Sequence, residues 1–463
     1  MTGTAAKGHC QRGELDLTEG SVRRLLIRYF IPIWFGSVFQ QLYVSVDAAV
    51  VGRFAGKTAL AAVGGTTTLL LDLSLGFFIG FTAGAGVVIS QYYGAKDRCH
   101  LRISVQSAMY MSFAFGVMLT FAGRALTPAA LKLMRTPPDV VPEAASYLRL
   151  YYLGAVPSLL YNMGSGVLRA AGDSGRPMYF LAFSTVLNIV LDIFMVAGLG
   201  MGVCGAALAT VISQTVSALL VLMVLLRTGD PYRLEPGPVR DPSYTGISVR
   251  MLELGLPSGI QYMLYTVANL IVQARINTFG TDPVAAWTAY SKLDGIFWMT
   301  MMAFGTAITT FAGQNAGAGR MDRVKESVRE GALLSFGLTA VICAVLLMMS
   351  RELLGLFTKD ETVLEQSMHF MALLVPTYFL YTGTELLGGV IKGLGDSFTP
   401  MMITGISAFG IRSLWAVLAP GFVPGIDTVA LSYPVSWGIS TLLFAVWYLV
   451  TAPCGRSDAE PKG

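Results

Sequence analysis

Twelve apolar stretches run along this chain, at about residues 25–50, 59–91, 101–123, 144–168, 178–200, 203–226, 249–279, 284–312, 327–350, 364–391, 401–419 and 428–450. Each is long enough to cross ~30 Å of hydrocarbon as a helix. Together they take up most of the 463 residues and leave no room for a sizeable soluble domain. Only 13% of the residues are charged, against roughly 25% in soluble proteins. Stretches such as 331–350 are continuously apolar with no period of two, which excludes the alternating strands of a membrane barrel. The 51 Gly and 20 Pro suit membrane helices that pack closely and bend. An all-α polytopic membrane protein with twelve transmembrane helices is the expected fold.

Basic residues set the expected orientation. If the N-terminus is cytoplasmic, the tails and even-numbered loops hold 21 of the 32 Lys and Arg, and the odd-numbered loops hold seven. Both termini are therefore expected in the cytoplasm. Residues 1–20 are polar, so no cleavable leader is expected. The longest polar connection, from about Arg227 to Arg250, contains Pro231, Pro236, Pro238 and Pro242 and reads as a linker between two bundles. The expected organisation is a tail 1–24, a first lobe 25–226, a linker 227–248, a second lobe 249–450 and a tail 451–463.

The two lobes are copies of one another. In the register that lays Gln314 on Gln91, an offset of 223, Gly317 and Ala318 also fall on Gly94 and Ala95, and the segment 164–178 contains seven identities with its counterpart. Those identities run from Gly166 and Val167 through Gly172, Asp173 and Ser174 to Pro177 and Met178. Six spans per copy make the repeat parallel, a design that places a cavity between the halves.

The chemistry-bearing residues stand out against this apolar background. Between Pro177 and Leu226 the only ionisable side chain is Asp192, with Asn188 one turn earlier on the same face and Thr210 in the next helix. In the first helix Gln40, Tyr43 and Asp47 share a face. A mid-helix carboxylate costs about 2.5–3.5 kcal/mol to insert, so it should face a polar interior. Two such acids among hydroxyls and amides supply either an all-oxygen Na⁺ site or a pair that desolvation readies for H⁺. Their rival role is to tie helices together by hydrogen bonds. The second half carries Arg275, Lys292, Asp294, Glu385 and Arg412 but nothing equivalent to Asp47 or Asp192, so coupling is expected in the first half alone. Glu385 aligns with Asn162, which marks both as cavity candidates, and Asp72 is a further cavity acid. Aromatic and Met side chains, Tyr147, Tyr151, Tyr161, Tyr290, Tyr378, Tyr381, Phe39, Met163 and Met302 among them, suit a repackable wall for aromatic cations.

Other chemistries fail on spacing. The segment from Gly52 to Thr58 has three residues between its glycines where a phosphate loop needs four, and the glycines from Gly313 to Gly319 follow no strand. Three His and five scattered Cys offer neither a catalytic cluster nor a metal set beyond a possible Na⁺. The net charge of +4 is too small to imply nucleic acid. Neither an enzyme nor a cofactor is expected.

Four pieces of the chain resemble the multidrug and toxic compound extrusion (MATE) transporters: Val46–Gly52 with Ala59–Gly64, Gln91–Asp97, Leu168–Asp173 with Pro177 and Met178, and Asn188–Asp192 with Gly205–Thr210. The resemblance implies two six-helix lobes around a V-shaped cavity, in the bacterial inner (plasma) membrane. It implies efflux of amphipathic cationic compounds in exchange for H⁺ or Na⁺. A monomer is expected, since one lobe pair encloses its own cavity. The resemblance assigns the coupling site to Asp47, Asn188, Asp192 and Thr210, with Gln40 and Tyr147 as polar neighbours beside Tyr43. Asn162, Tyr381 and Glu385 are the expected substrate-cavity residues. The family's other branch has acids where Tyr265 and Tyr381 stand here. The competing reading is a flippase for lipid-linked oligosaccharides, which calls for a strongly cationic cavity and is opposed by the paired acids.

Overall fold

The computed structural model describes residues 15–237 and 241–451, and among them every regular element is helical. Most of the two expected tails, and Pro238 of the expected linker, lie outside the described residues. The first span is one helix, Val22–Phe54; the second is Lys57–Gly64 followed by Thr66–Gly94; the third is Arg98–Leu133. The fourth joins Val141–Tyr151 to Ala155–Ala170 through a 3₁₀ turn, Tyr152–Gly154. The fifth is Gly175–Asp192 continued by a π-helical turn, Ile193–Gly198, and the sixth is Gly202–Arg227. In the second half the order is Ser243–Ile276, Thr281–Gly317, Met321–Met348, then Glu361–Leu374 with Tyr378–Gly393 across the 3₁₀ turn Val375–Thr377. The eleventh span runs Phe398–Thr404, a π-helical segment Gly405–Ile411 and Arg412–Leu418; the twelfth joins Ile426–Ala430 to Ser432–Thr451. Each apolar stretch of the sequence is thus helical, in an all-α polytopic membrane protein.

Among the described residues, nine segments are long and apolar enough to cross a membrane on composition alone. The spans not among them are Val22–Phe54, Val141–Ala170 and Ser243–Ile276. Each is rich in polar groups: Tyr43 and Asp47 in the first, Tyr147 and Asn162 in the second, Gln261 and Tyr265 in the third. Low hydropathy here marks the helices that turn polar faces inward, as membrane-embedded polar groups must.

The fifth span shows that inversion residue by residue. Ser184, Thr185, Asn188 and Asp192 are buried, whereas Phe183, Val186, Val190 and Phe194 are exposed. Apolar groups face outward because the surrounding solvent is lipid, and the polar stripe has only the protein interior to face.

The repeat is visible in the element bounds. Tyr152–Gly154 maps onto Val375–Thr377, and Ala155–Ala170 onto Tyr378–Gly393, in the register that lays Gln91 on Gln314. The strongest sequence match also receives a structural cause. Gly172 and Gly395 adopt φ of 88° and 92°, a region closed to most L side chains. Immediately after them Asp173 accepts from the Gly175 and Arg176 amides at 3.1 and 3.0 Å, and Asp396 accepts from the Thr399 amide at 2.9 Å. The motif is a turn that stops one helix and caps the next.

Glycine also sets how closely the halves meet. A methyl at Gly94 would lie 1.9 Å from the Gln314 carbonyl oxygen, and one at Gly317 would lie 1.9 Å from the Gln91 carbonyl oxygen. The contact is braced symmetrically, since Gln91 donates to the Gly393 carbonyl at 3.0 Å and Gln314 to that of Ala170 at 2.7 Å. The segment before the first span lies across the same end. Its Leu17 carbonyl accepts from Asn315 and Arg323, both at 3.1 Å, and its Leu15 amide donates to Gly172 at 3.3 Å.

Candidate functional site

Two polar regions occupy the interior, and they are built from different helices. The first lies within the first half. The first span packs against the fifth and the fifth against the sixth, with Thr185 donating to the Phe39 carbonyl at 3.4 Å and Ser184 hydrogen-bonded to Ser217. This scaffold carries Tyr43 and Asp47, Asn188 and Asp192, and Thr210 into one buried cluster. Asp192 and Asn188 have no exposed surface, Thr210 is 1% exposed and Asp47 6%. Asp47 and Asp192 feel one another's charge, and Tyr43 and Tyr147 lie close enough to interact with both.

The polar atoms of this cluster lack protein partners. Both Asp192 oxygens, one Asp47 oxygen, and the oxygen and nitrogen of the Asn188 amide are buried with no hydrogen bond. Such atoms are rare, because each costs about 1–3 kcal/mol to leave unmade. Here they converge. The available donors are carboxylate, amide and hydroxyl oxygens, the set that hard cations take, and the carboxylates also accept protons. The helix-tying role is a poor account of groups that make no such bond. No Lys, Arg or His forms an ion pair with either acid among the described residues.

Gln40, expected beside this cluster, is exposed. The neighbouring Gln41 and Leu42 are exposed as well, so the shared helical face does not suffice to bury position 40. Tyr147 is buried, as a neighbour of the acids should be.

The second region is a cavity of about 360 Å³ between the halves, lined by the second, fourth, seventh, eighth, tenth and twelfth spans. The three expected residues, Asn162, Tyr381 and Glu385, all line it. The Tyr381 hydroxyl donates to the Glu385 carboxylate at 2.8 Å, which fixes the acid against the eighth span beside Gly305. None of Asp47, Asn188, Asp192 and Thr210 lines it. Asp72 does not line it either and is exposed. Lys292 is exposed as well, so an apolar stretch around a charge does not by itself imply burial. Of the expected aromatic wall, Met302 and Tyr381 line the cavity with Trp298, Tyr262 and Tyr265. Tyr290 and Tyr378 turn away to donate to Asp294.

Two lining residues are not marked by the sequence reading. Arg169 and Lys392 count there among the loop cations, yet both face the cavity. A signal exists in the repeat: they occupy equivalent positions, are basic in both copies, and stand seven positions beyond Asn162 and Glu385.

The MatE family profile matches residues 32–194 and 257–418, once in each half. Probable multidrug resistance protein YoeA of Bacillus subtilis (strain 168) is 30% identical, the alignment covering 92% of this chain and 94% of that protein. A FAD transporter of Shewanella oneidensis is 22% identical over 95% of this chain and 96% of its own. Among solved structures, the outward-facing conformation of a multidrug resistance MATE family transporter of the MOP superfamily superimposes with a TM-score of 0.88, at 22% identity, over 95% of this chain and 98% of that one.

Proposed function

This chain belongs to the MatE family of membrane transporters, and from that premise we propose that it exports amphipathic cationic compounds by antiport with H⁺ or Na⁺. It is a multidrug-type transporter of small molecules rather than an enzyme. In the proposed cycle Asp47, Asn188, Asp192 and Thr210 take up and release the coupling ion, and the halves alternate access to the cavity that holds Asn162, Tyr381 and Glu385. Both termini are cytoplasmic in this reading, the lobes are 25–226 and 249–450, and one copy of the chain suffices.

The observation that carries the proposal is the set of unpartnered oxygens that the first and fifth spans bring into one buried cluster. A cation or proton that comes and goes supplies in turn the partner that a permanent hydrogen bond would have fixed. Exchange of one monovalent ion for one monovalent cation moves no net charge, so the ion's concentration gradient drives it: a tenfold gradient releases about 1.4 kcal/mol, enough for about tenfold accumulation of the substrate. The flippase alternative is not favoured: its cavity should be strongly cationic, and here an acid accompanies two bases.

The deciding experiment is ethidium flux in liposomes with pH and Na⁺ gradients imposed separately. Accumulation driven by one of the two gradients is expected. Flux that ignores both would refute the coupling.

A further inference from the structure

The charged lining of the cavity consists of Arg169, Glu385 and Lys392. The bases are equivalent under the repeat: Arg169 lies on Ala155–Ala170 and Lys392 at the same place on Tyr378–Gly393, one residue before the end of each helix. They sit on matching faces, two turns past Asn162 and Glu385, with Gly166 and Gly389 lining the cavity between. Side chains at i and i+7 share a helical face.

Their partners are not equivalent. Glu385 lies two turns before Lys392, and the two interact electrostatically without forming an ion pair within 4 Å. Its carboxylate is occupied by the Tyr381 hydroxyl. The corresponding residue before Arg169 is neutral Asn162, whose amide donates to the Ser158 carbonyl at 2.9 Å. The nearest acid on the far side, Asp173, is engaged by Arg176 at 3.1 Å. Neither Arg169 nor Lys392 makes a side-chain hydrogen bond or ion pair among the described residues, although both are more than half covered. Thr309 and Thr310 add hydroxyls to the same lining, and Trp298 and Tyr381 close it with aromatic surface.

A cavity for simple cations has no use for two free bases. We infer that Arg169 and Lys392 form a subsite for an anionic group, so that the cavity prefers aromatic zwitterions, with a carboxylate at the bases and a cationic group toward Glu385, over cations of the same shape. The inference rests on the transport reading for its cavity and adds the substrate class. A carboxylate facing guanidinium and ammonium gains charge-assisted hydrogen bonds. An ester in its place gains none and leaves the bases facing an uncharged group.

The test is equilibrium dye binding to the full chain in nanodiscs, read as fluorescence anisotropy with no gradient present. Rhodamine B, a zwitterion at neutral pH, is compared with its ethyl ester, a cation that differs in the carboxylate alone. Rhodamine B is expected to bind about tenfold more tightly. In Arg169→Gln/Lys392→Gln that ratio falls to about one, whereas Arg169→Lys, which keeps the charge, retains the preference for the zwitterion. Equal binding of the two dyes by the wild type, preference for the ester, failure of both to bind, or a ratio unmoved in the double variant each overturns the inference. Because no gradient is applied, the dye ratio stands or falls separately from coupling, which the flux experiment reads.

Discussion

Position 192 in the first half is an aspartate whose two carboxylate oxygens are buried and unpaired; its repeat mate in the second half is Trp415, whose indole donates to the Thr428 carbonyl at 2.9 Å. The residues around them differ too. Thr210 is buried and corresponds to Tyr433, whose ring lies 4.4 Å from the Arg412 guanidinium. Asp47 corresponds to Leu270 and Asn188 to Ile411. The second half buries charge too, and there its acid has partners, although one nitrogen each of Arg275 and Arg412 has none. Arg412 donates to Ser436 at 3.0 Å and to Asn269 at 2.8 Å, and Asp294 accepts from Trp298 at 2.8 Å, from Tyr290 at 3.2 Å and from Tyr378. Equal folds therefore differ in their acids: one copy leaves the carboxylate oxygens of Asp192 without partners, and the other engages the Asp294 carboxylate with three donors. A network whose members are paired rigidifies a core, whereas open groups are a standing cost that function must explain.

The largest effect expected from breaking this contrast is functional. Asp192→Asn or Asp47→Asn should abolish gradient-driven ethidium accumulation, a loss of about tenfold if one monovalent ion is exchanged per ethidium under a tenfold ion gradient. Neither should lower the melting temperature of the purified protein, because no hydrogen bond is lost with the charge. Full accumulation in both variants would show that the open oxygens serve something else. The second half should behave in the opposite way. Asp294→Ala strands three donors and should cost about 2–3 kcal/mol, read as a fall in melting temperature, with Asp294→Asn recovering part of it. A stable Asp294→Ala protein that had lost flux would erase the distinction between the halves.

The sequence displays the helices, the repeat and the acids because each is a contrast in hydropathy or identity that needs no tertiary information. Asp192 stands out as the one ionisable side chain in a long apolar run, and burial of its face follows from being in a membrane. What the sequence cannot display is covering. Gln40 shares the face of Asp47 yet is exposed, as are Asp72 and Lys292 within apolar stretches. Arg169 and Lys392 sit where a helix ends, and a basic residue there reads as an interfacial anchor. Only the approach of six spans around one volume makes them cavity residues. Arg412, by contrast, is as buried as its mid-span position suggests, and its partners on the seventh and twelfth spans become visible only in three dimensions.

Where the halves are alike, they should fail alike. Gly94→Ala and Gly317→Ala each place a methyl against a backbone carbonyl of the opposite half. Overpacking of this kind costs typically about 1–3 kcal/mol, and the two substitutions should lower the melting temperature by similar amounts. A large inequality would show that the clasp at this end, drawn by Gln91 and Gln314, is symmetric in geometry but not in energy.

The smallest effect tests the surface counterpart of a buried contact. Arg323 is buried and donates to Asn315 at 2.9 Å and to the Gly20 carbonyl at 2.7 Å. Its repeat mate is His100, at the solvent-facing start of the third span, whose backbone amide donates to Asp97 at 3.1 Å. Partial burial pushes the Asp97 carboxyl up, but hydrogen bonds from the His100 side chain and amide outweigh it, so the group titrates below its ordinary value. A carboxylate depressed in the folded state contributes its stability above the unfolded pKa and loses it as pH falls through the folded one. Asp97→Ala should therefore cost about 0.5–2 kcal/mol at neutral pH, the usual range for an N-cap. The melting difference between variant and wild type should shrink as pH drops below about 4. Arg323→Ala, whose hydrogen bonds go to an amide and backbone carbonyls, should show a difference that shrinks less over the same interval, by the share that Glu326, Asp322 and Asp16 contribute. If both differences faded together, acid would be loosening the whole end of the bundle rather than the Asp97 cap.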